Sequence, residues 1–324
     1  MYSTNILCAI EIKFVILYPF ICDELIMLYY RRKILLATLE VFGGKLTAKQ
    51  LQKLLFLFSR GQEVKAYDFV PYYYGCFSFQ ANQDIVILGN QGLLTIKETE
   101  HGRFIELVKS CNYLATLDLF DQQAMLKLKS KYEKMSQTDL IKYTYVKFPF
   151  YAINSRIASD ILSKEEIEIV NKQRRHIEGM ELFTIGYEGI TLETYLKRLI
   201  INDIHLLCDV RRNAYSQKYG FSKTQLEKAC VGLNIAYIHI PELGIESQKR
   251  QDLKSQKDYD ILFDEYEKTT LKNNQESLLK IRALLYRYER IALTCFEKNP
   301  MQCHRSRVAK ALLSLLNNLE FKAI

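Results

Sequence analysis

The chain has 324 residues, 48% hydrophobic and 25% charged, values of an ordinary globular protein that exclude a fibrous or intrinsically disordered one. Its length accommodates two or three domains of usual size. The formal net charge of +8 is spread along the chain with no basic arm, so it is compatible with a phosphate-bearing partner without requiring one.

Eight cysteines show no paired disulfide-like spacing, which is the usage expected of reduced thiols in a cytoplasm. Residues 1–26 are apolar, but Glu11 and Lys13 fall inside the run and Pro19 interrupts it. Each such charge costs about 2.5–3.5 kcal/mol near a bilayer centre, so no membrane span is expected. The segment reads as an extension from a translation start placed too far upstream, with Met27 as the natural beginning.

Residues 27–108 carry the order helix, helix, loop, helix, hairpin. A helix over 34–42 ends at Gly43 and Gly44, and Thr47 is placed to cap a helix over 48–59 whose Leu51, Leu54, Leu55 and Phe58 share one face. Ser78 is placed to cap a third helix to about residue 88, and 93–97 and 104–108 alternate around His101 and Gly102 as two paired strands. This is the order of a winged-helix-like module, which either lays a helix in a DNA groove or docks a protein. The third helix offers Gln80, Asn82, Gln83 and Asp84 but no Arg or Lys, the commonest base readers, so protein docking ranks above DNA contact. The aromatic stretch 67–75 has the rings to stack bases, although such clusters are more often core or interface. Through Lys53-Leu54-Leu55-Phe56 and the run from Tyr67 to Ser78, this part resembles small helical domains of an antitoxin and phage-associated family.

Residues 109–180 read as a helical connector. An amphipathic helix over 122–135 and another over 139–147 precede a break at Pro149, and Ser163 opens a further helix with Glu165 and Glu166 in its first turn.

From 181 to 324 strands and helices alternate. Strands are expected over 182–187, 205–210, 235–240 and 291–296, helices over 192–201, 223–233, 259–270, 275–288 and 303–317, and a fifth short strand over 321–324. Repeated βα units imply a Rossmann-like parallel sheet with helices on both faces, making the protein α/β overall.

Ligands of such sheets bind beyond the carboxyl ends of the strands. The polar groups expected there are Tyr187 after the first strand, Asp209 and Arg211 after the second, His239 at the third, and Cys295 and Glu297 at the fourth. Pro300 stops the last of these strands, so that a helix starts near Cys303 with its free N–H groups and Arg305 facing the loop as an anion site. A cysteine-phosphatase loop does not fit, since Met301 stands six residues after Cys295 where an Arg is needed. Cys303 and His304 are adjacent with no second ligand pair, so zinc would need a remote residue such as His239, and neither metal nor cofactor is assigned. Dinucleotide and P-loop glycine motifs are missing from the sequence. The bland alternatives are Cys295 as core filler, Arg305 as a solvated helix residue, and Asp209 as a structural partner of Arg211 or Arg212.

The motifs Thr184-Ile185-Gly186-Tyr187-Glu188-Gly189, Asp209-Val210-Arg211-Arg212, Tyr219-Gly220-Phe221-Ser222, Tyr237 with His239, and Cys295-Phe296-Glu297 with Pro300 and Cys303-His304-Arg305 resemble the bacterial and archaeal family catalogued as domain of unknown function 488. The resemblance implies the fold more than an activity. Where that family usually runs Pro-x-Ser-Arg, this chain has Ala214-Tyr215-Ser216-Gln217, so a phosphate contact from that Arg would fall to Lys218 or Lys223.

The expectation is an enzyme hydrolysing a nucleotide or nucleic-acid substrate by acid/base chemistry. Asp209, Glu297 and Cys303 are the catalytic candidates, with Cys303 as a nucleophile of lowered pKa beside His304. Tyr187, Arg211, His239, His304 and Arg305 are the ligand or phosphate contacts. The alternative is a non-catalytic nucleotide-ligand sensor whose amino-terminal module passes the signal to DNA or a protein partner. A scaffold with a vestigial cleft is the third reading.

Overall fold

The computed structural model describes residues 28–100, 102–250, 253–316 and 319–324, so the apolar segment 1–26 lies outside the described residues. The chain opens with α1 (Tyr30–Val41), β1 (Lys45–Thr47) and α2 (Ala48–Ser59). α1 starts a turn earlier than its apolar periodicity indicates, because Arg31 and Arg32 both pair with the buried Asp84 and hold that turn down. Thr47 caps α2 as expected, and Gln50 returns the bond to the Thr47 N–H in a reciprocal capping box.

The aromatic stretch then forms a hairpin, β2 (Val70–Tyr72) with β3 (Gly75–Phe77), before α3 (Phe79–Asn90), β4 (Leu94–Thr99) and β5 (Gly102–Leu107). α3 is capped by Ser78. β1, β5 and β4 make an antiparallel sheet in that order. At three residues, β1 is too short to display the alternation by which strands are recognised. The core of this part gathers Ile34, Leu35, Leu51, Leu55, Phe56 and Ile105, extending to Met125 and Leu128 of the connector. The connector comprises α4 (Leu119–Tyr132), α5 (Gln137–Lys147), the single turn α6 (Ala158–Ile161) and α7 (Lys164–Asn171), which Ser163 caps in a second capping box.

The carboxy-terminal part runs β6 (Glu181–Gly186), α8 (Leu192–Ile201), β7 (Leu206–Asp209), α9 (Lys223–Val231), β8 (Ala236–His239), α10 (Gln256–Tyr266), α11 (Gln275–Tyr288), β9 (Arg290–Cys295), α12 (His304–Leu313) and β10 (Phe321–Ala323). The five strands form a wholly parallel sheet in the order β10-β6-β9-β7-β8. Leu196, Leu199, Leu226 and Ala229 of α8 and α9 cover one face, while Phe263, Ile281, Leu285, Val308 and Leu312 of α10, α11 and α12 cover the other. Burial on both faces explains why β6, β7 and β9 read as unbroken apolar runs rather than alternating ones. The chain steps outward from β6 to β7 and β8, then returns to insert β9 between β6 and β7. The crevice where strand order reverses therefore opens at the carboxyl end of β9.

α12 begins at His304, with Cys303 as its extended N-cap, and ends at Leu313 rather than residue 317. No described helix is long and apolar enough to cross a membrane.

Candidate functional site

Three loops meet at the carboxyl end of β9, and the first is held by the glycine motif after β6. A Cβ on Gly186 would lie 2.0 Å from the Glu297 carbonyl oxygen, so only glycine lets the loop after β9 settle across the end of β6. Tyr187 and Glu188 donate their N–H groups to the Phe296 carbonyl at 3.1 and 2.9 Å, and the Glu188 carboxylate accepts the Lys298 N–H at 2.9 Å. The motif thus shapes the loop that carries Glu297.

A second network centres on Asp209, which is fully buried. Its carboxylate accepts the Arg211 N–H at 3.1 Å, Arg211 Nε at 2.8 Å and the Tyr237 hydroxyl at 2.6 Å. Arg211 spends its other donors on the Tyr187 hydroxyl at 2.7 Å and the Phe221 carbonyl at 2.9 Å, and the Tyr187 and Phe221 rings stack 4.3 Å apart. With its oxygens taken, Asp209 has the geometry of the structural ion pair rather than of a proton-transfer group. Arg211 lines the cleft over β9, but its guanidinium donors are engaged by Asp209, Tyr187 and Phe221. His239 is half-buried and bonds through Nε2 to the Arg211 carbonyl at 2.8 Å, bracing the same loop.

Arg305 is 1% exposed, which removes the solvated-residue reading. Its guanidinium donates to the Glu297 and Lys298 carbonyls at 2.5 and 3.3 Å, stapling the loop from behind. It is not turned into the crevice.

The reactive cluster lies in front of these supports. The Cys295 thiol donates to Glu297 Oε2 at 3.2 Å and faces His304 Nδ1 at 3.6 Å, and the Cys303 sulfur lies within 4.8 Å of both Cys295 Sγ and a His304 ring nitrogen. His304 Nε2 donates to the Val210 carbonyl at 2.8 Å, so Nδ1 is the nitrogen presented to the sulfur. Arg250, from the turn before α10, ion-pairs with Glu297 and reaches His304 Nδ1 at 3.0 Å.

Burial alone raises the Cys295 thiol, but the Cys303 hydrogen bond, the charge of His304 and Arg250 outweigh it and bring Cys295 well below the usual thiol range. Burial and the neighbouring Cys295 push Cys303 well above that range. The lowered-pKa sulfur is therefore Cys295, not the expected Cys303. Burial also raises Glu297, with Cys295 adding to the effect and Arg250 opposing it. Burial lowers His304, and the charge of Cys295 more than offsets it.

A cleft of about 490 Å³ opens over this cluster, lined by Tyr187, Arg212, Tyr215, Lys218, Arg250, Cys295 and His304 among others. Lys218, one of the two substitutes for the missing family arginine, lines the cleft and holds the Tyr187 carbonyl at 2.9 Å. Burial lowers its ammonium from the ordinary lysine value, and Glu188 counters it. Arg250 was not visible as a site residue in the sequence. Its only signal is the Lys249-Arg250 pair in the long segment between β8 and α10.

The fold and site define an α/β protein whose parallel sheet carries a thiol, imidazole and carboxyl cluster under a cationic cleft. The family model described as domain of unknown function DUF488 matches residues 191–312, from α8 into α12, and so includes both cysteines, Glu297, His304 and Arg250. No curated protein matches the chain.

Proposed function

We propose that the carboxy-terminal part is a hydrolase acting on a nucleotide or nucleic-acid substrate bound in the cleft over β9. Arg212, Lys218 and Arg250 supply the positive lining that a phosphate group requires, since Arg211 is held by Asp209, Tyr187 and Phe221 and the Arg305 Nη groups by the Glu297 and Lys298 carbonyls. Glu297 is the acid/base group, because its carboxylate meets Cys295 at the crevice and Arg250 holds it in place. Asp209 and His239 act as positioning residues behind the cleft, and Tyr187, which lines it, is held in place by Arg211. The observation that carries this reading is the convergence of Glu297, Cys295 and His304 under three cationic side chains at the point where strand order reverses.

The test is hydrolysis of a panel of nucleoside mono-, di- and triphosphates and short RNA and DNA oligomers by the full chain. Glu297→Gln should lower turnover by about 10²–10⁴-fold with KM little changed, whereas Arg212→Ala and Lys218→Ala should raise KM. Turnover that survives in Glu297→Gln, or a panel with no substrate, removes the reading.

A second reading is a ligand sensor, favoured by the direct contact between the two parts of the chain. Val70 of β2 is buried in the core under α8 and α9, and the Tyr72 hydroxyl donates to the Lys228 carbonyl at 3.2 Å. Under this reading the amino-terminal unit is a winged-helix-like docking module, in line with its β1-β5-β4 sheet and its helix, strand, helix, helix, hairpin order once the inserted β2-β3 hairpin is set aside. Ligand binding without turnover in wild type and Glu297→Gln alike would favour it.

A further inference from the structure

We propose that Cys295, Cys303 and His304 form a Zn²⁺ site whose fourth position opens into the cleft, with Glu297 beside it to take the proton of a bound water. The sequence speaks against zinc because Cys303 and His304 have no second pair nearby. Folding supplies the missing ligand from the other end of the same loop. Cys295 closes β9, Cys303 caps α12, and the intervening residues 296–302 return the chain so that all three donor atoms lie within 4.8 Å of one another.

The distances suit the ion. With Zn–S near 2.3 Å and Zn–N near 2.0–2.1 Å, two corners of a tetrahedron are about 3.6 Å apart. Cys295 Sγ and His304 Nδ1 are separated by 3.6 Å. His304 also has the support usual for a metal-bound imidazole, since its other nitrogen donates to a backbone carbonyl, Val210, which fixes the ring with Nδ1 inward. His239 is not needed, being committed to the Arg211 carbonyl.

All three ligands are essentially excluded from solvent, yet Cys295 and His304 border the cleft. A histidine and two thiolates with an open position and a nearby carboxylate that is not a ligand is an arrangement that activates water. Arg250 is the cation that now meets His304 Nδ1, at 3.0 Å. Zn²⁺ and Arg250 cannot share that nitrogen, so loading moves the guanidinium onto Glu297, its other partner.

The role in hydrolysis rests on the reading given under Proposed function, whereas the metal site does not. In that role the bound water gives a proton to Glu297 and the resulting hydroxide attacks the electrophilic centre of the substrate. The bond to the leaving group then breaks with its electron pair, and Glu297 returns the proton to it. Water is the only co-reactant.

The test uses the full chain, stripped with a chelator and titrated with Co²⁺, alongside zinc analysis of protein purified without chelator. The expected result is one Zn²⁺ per chain, and on Co²⁺ loading an intense tetrahedral visible spectrum with a thiolate charge-transfer band. Cys295→Ser and Cys303→Ser, checked for folding by circular dichroism, should each weaken Co²⁺ binding by at least about tenfold. Glu297→Gln should keep the spectrum, and Arg250→Ala should bind Co²⁺ no more weakly than wild type. A weak octahedral spectrum without the thiolate band, or wild-type affinity in both serine variants, overturns the site. A metal site with no substrate turned over leaves this inference standing and removes the hydrolase. Turnover insensitive to chelation, with no thiolate spectrum, does the reverse.

Discussion

The carboxylate of Glu193 in α8 closes the first turn of α3, accepting the Gln80 N–H at 2.8 Å and the Ser78 hydroxyl at 3.2 Å. A helix that reads a DNA groove does so with its amino-terminal residues, and here that end is covered by the sheet domain. Asp84 of the same helix is fully buried against Arg31 and Arg32.

Glu193→Ala should destabilise the protein by about 1–3 kcal/mol, since it strands buried donors of α3. Burial raises the Glu193 carboxyl above its ordinary value, against the hydrogen bonds from Gln80 and Ser78. The folded state then binds the proton more tightly than the unfolded one. Its stabilising contribution is complete below the ordinary glutamate range and is lost as pH rises through the raised folded value. Thermal melts of Glu193→Gln should lack that decline, and equal pH slopes in both proteins would refute the assignment.

Asp209→Ala leaves the buried Arg211 guanidinium without its counter-charge and should cost about 3–5 kcal/mol in urea unfolding. A small stability change combined with complete loss of turnover would instead return Asp209 to the catalytic role expected from the sequence.

Gly186→Ala forces its new methyl group against the Glu297 carbonyl and to within 3.1 Å of Arg305 Nη1. The loop cannot keep its path, so a loss of about 1–3 kcal/mol is expected, together with displacement of Glu297. Hydrogen exchange at residues 296–298 should rise in this variant. Unchanged protection there would show that the glycine does not set the loop.

Gly232 faces the ring of Tyr72, where an added Cβ would lie 2.0 Å from the nearest ring atom. Gly232→Ala should weaken the contact between hairpin and sheet domain, and Tyr72→Ala should relieve the clash. A double-mutant cycle on thermal stability should therefore give a coupling of about 0.5–3 kcal/mol, and strict additivity would argue against the contact.

Much of the architecture is legible in the residues because the signals are local. Thr47, Ser78 and Ser163 cap the helices they precede, and the apolar runs of β6, β7 and β9 announce strands buried on both faces. The three-residue strands β1, β2 and β3 escape notice because no period can be counted in so few positions. For the site, composition and spacing indicate which strand ends carry polar groups. They do not tell Asp209, saturated by Arg211 and Tyr237, from Glu297, which meets the cleft residues Cys295 and Arg250, because each is simply an acid after an apolar run.

By itself the sequence determined the βα alternation, the helix caps and which segments end in acid, thiol, imidazole and guanidinium groups, since these depend on neighbours within a few positions. Tertiary structure alone decided that β9 inserts between β6 and β7, that Arg211 and Arg305 turn inward to carboxylate and carbonyl oxygens, and that Arg250 enters from a distant turn to meet His304. Those outcomes depend on which buried polar group finds which partner across the fold, a competition between desolvation and hydrogen bonding that only the packed chain resolves.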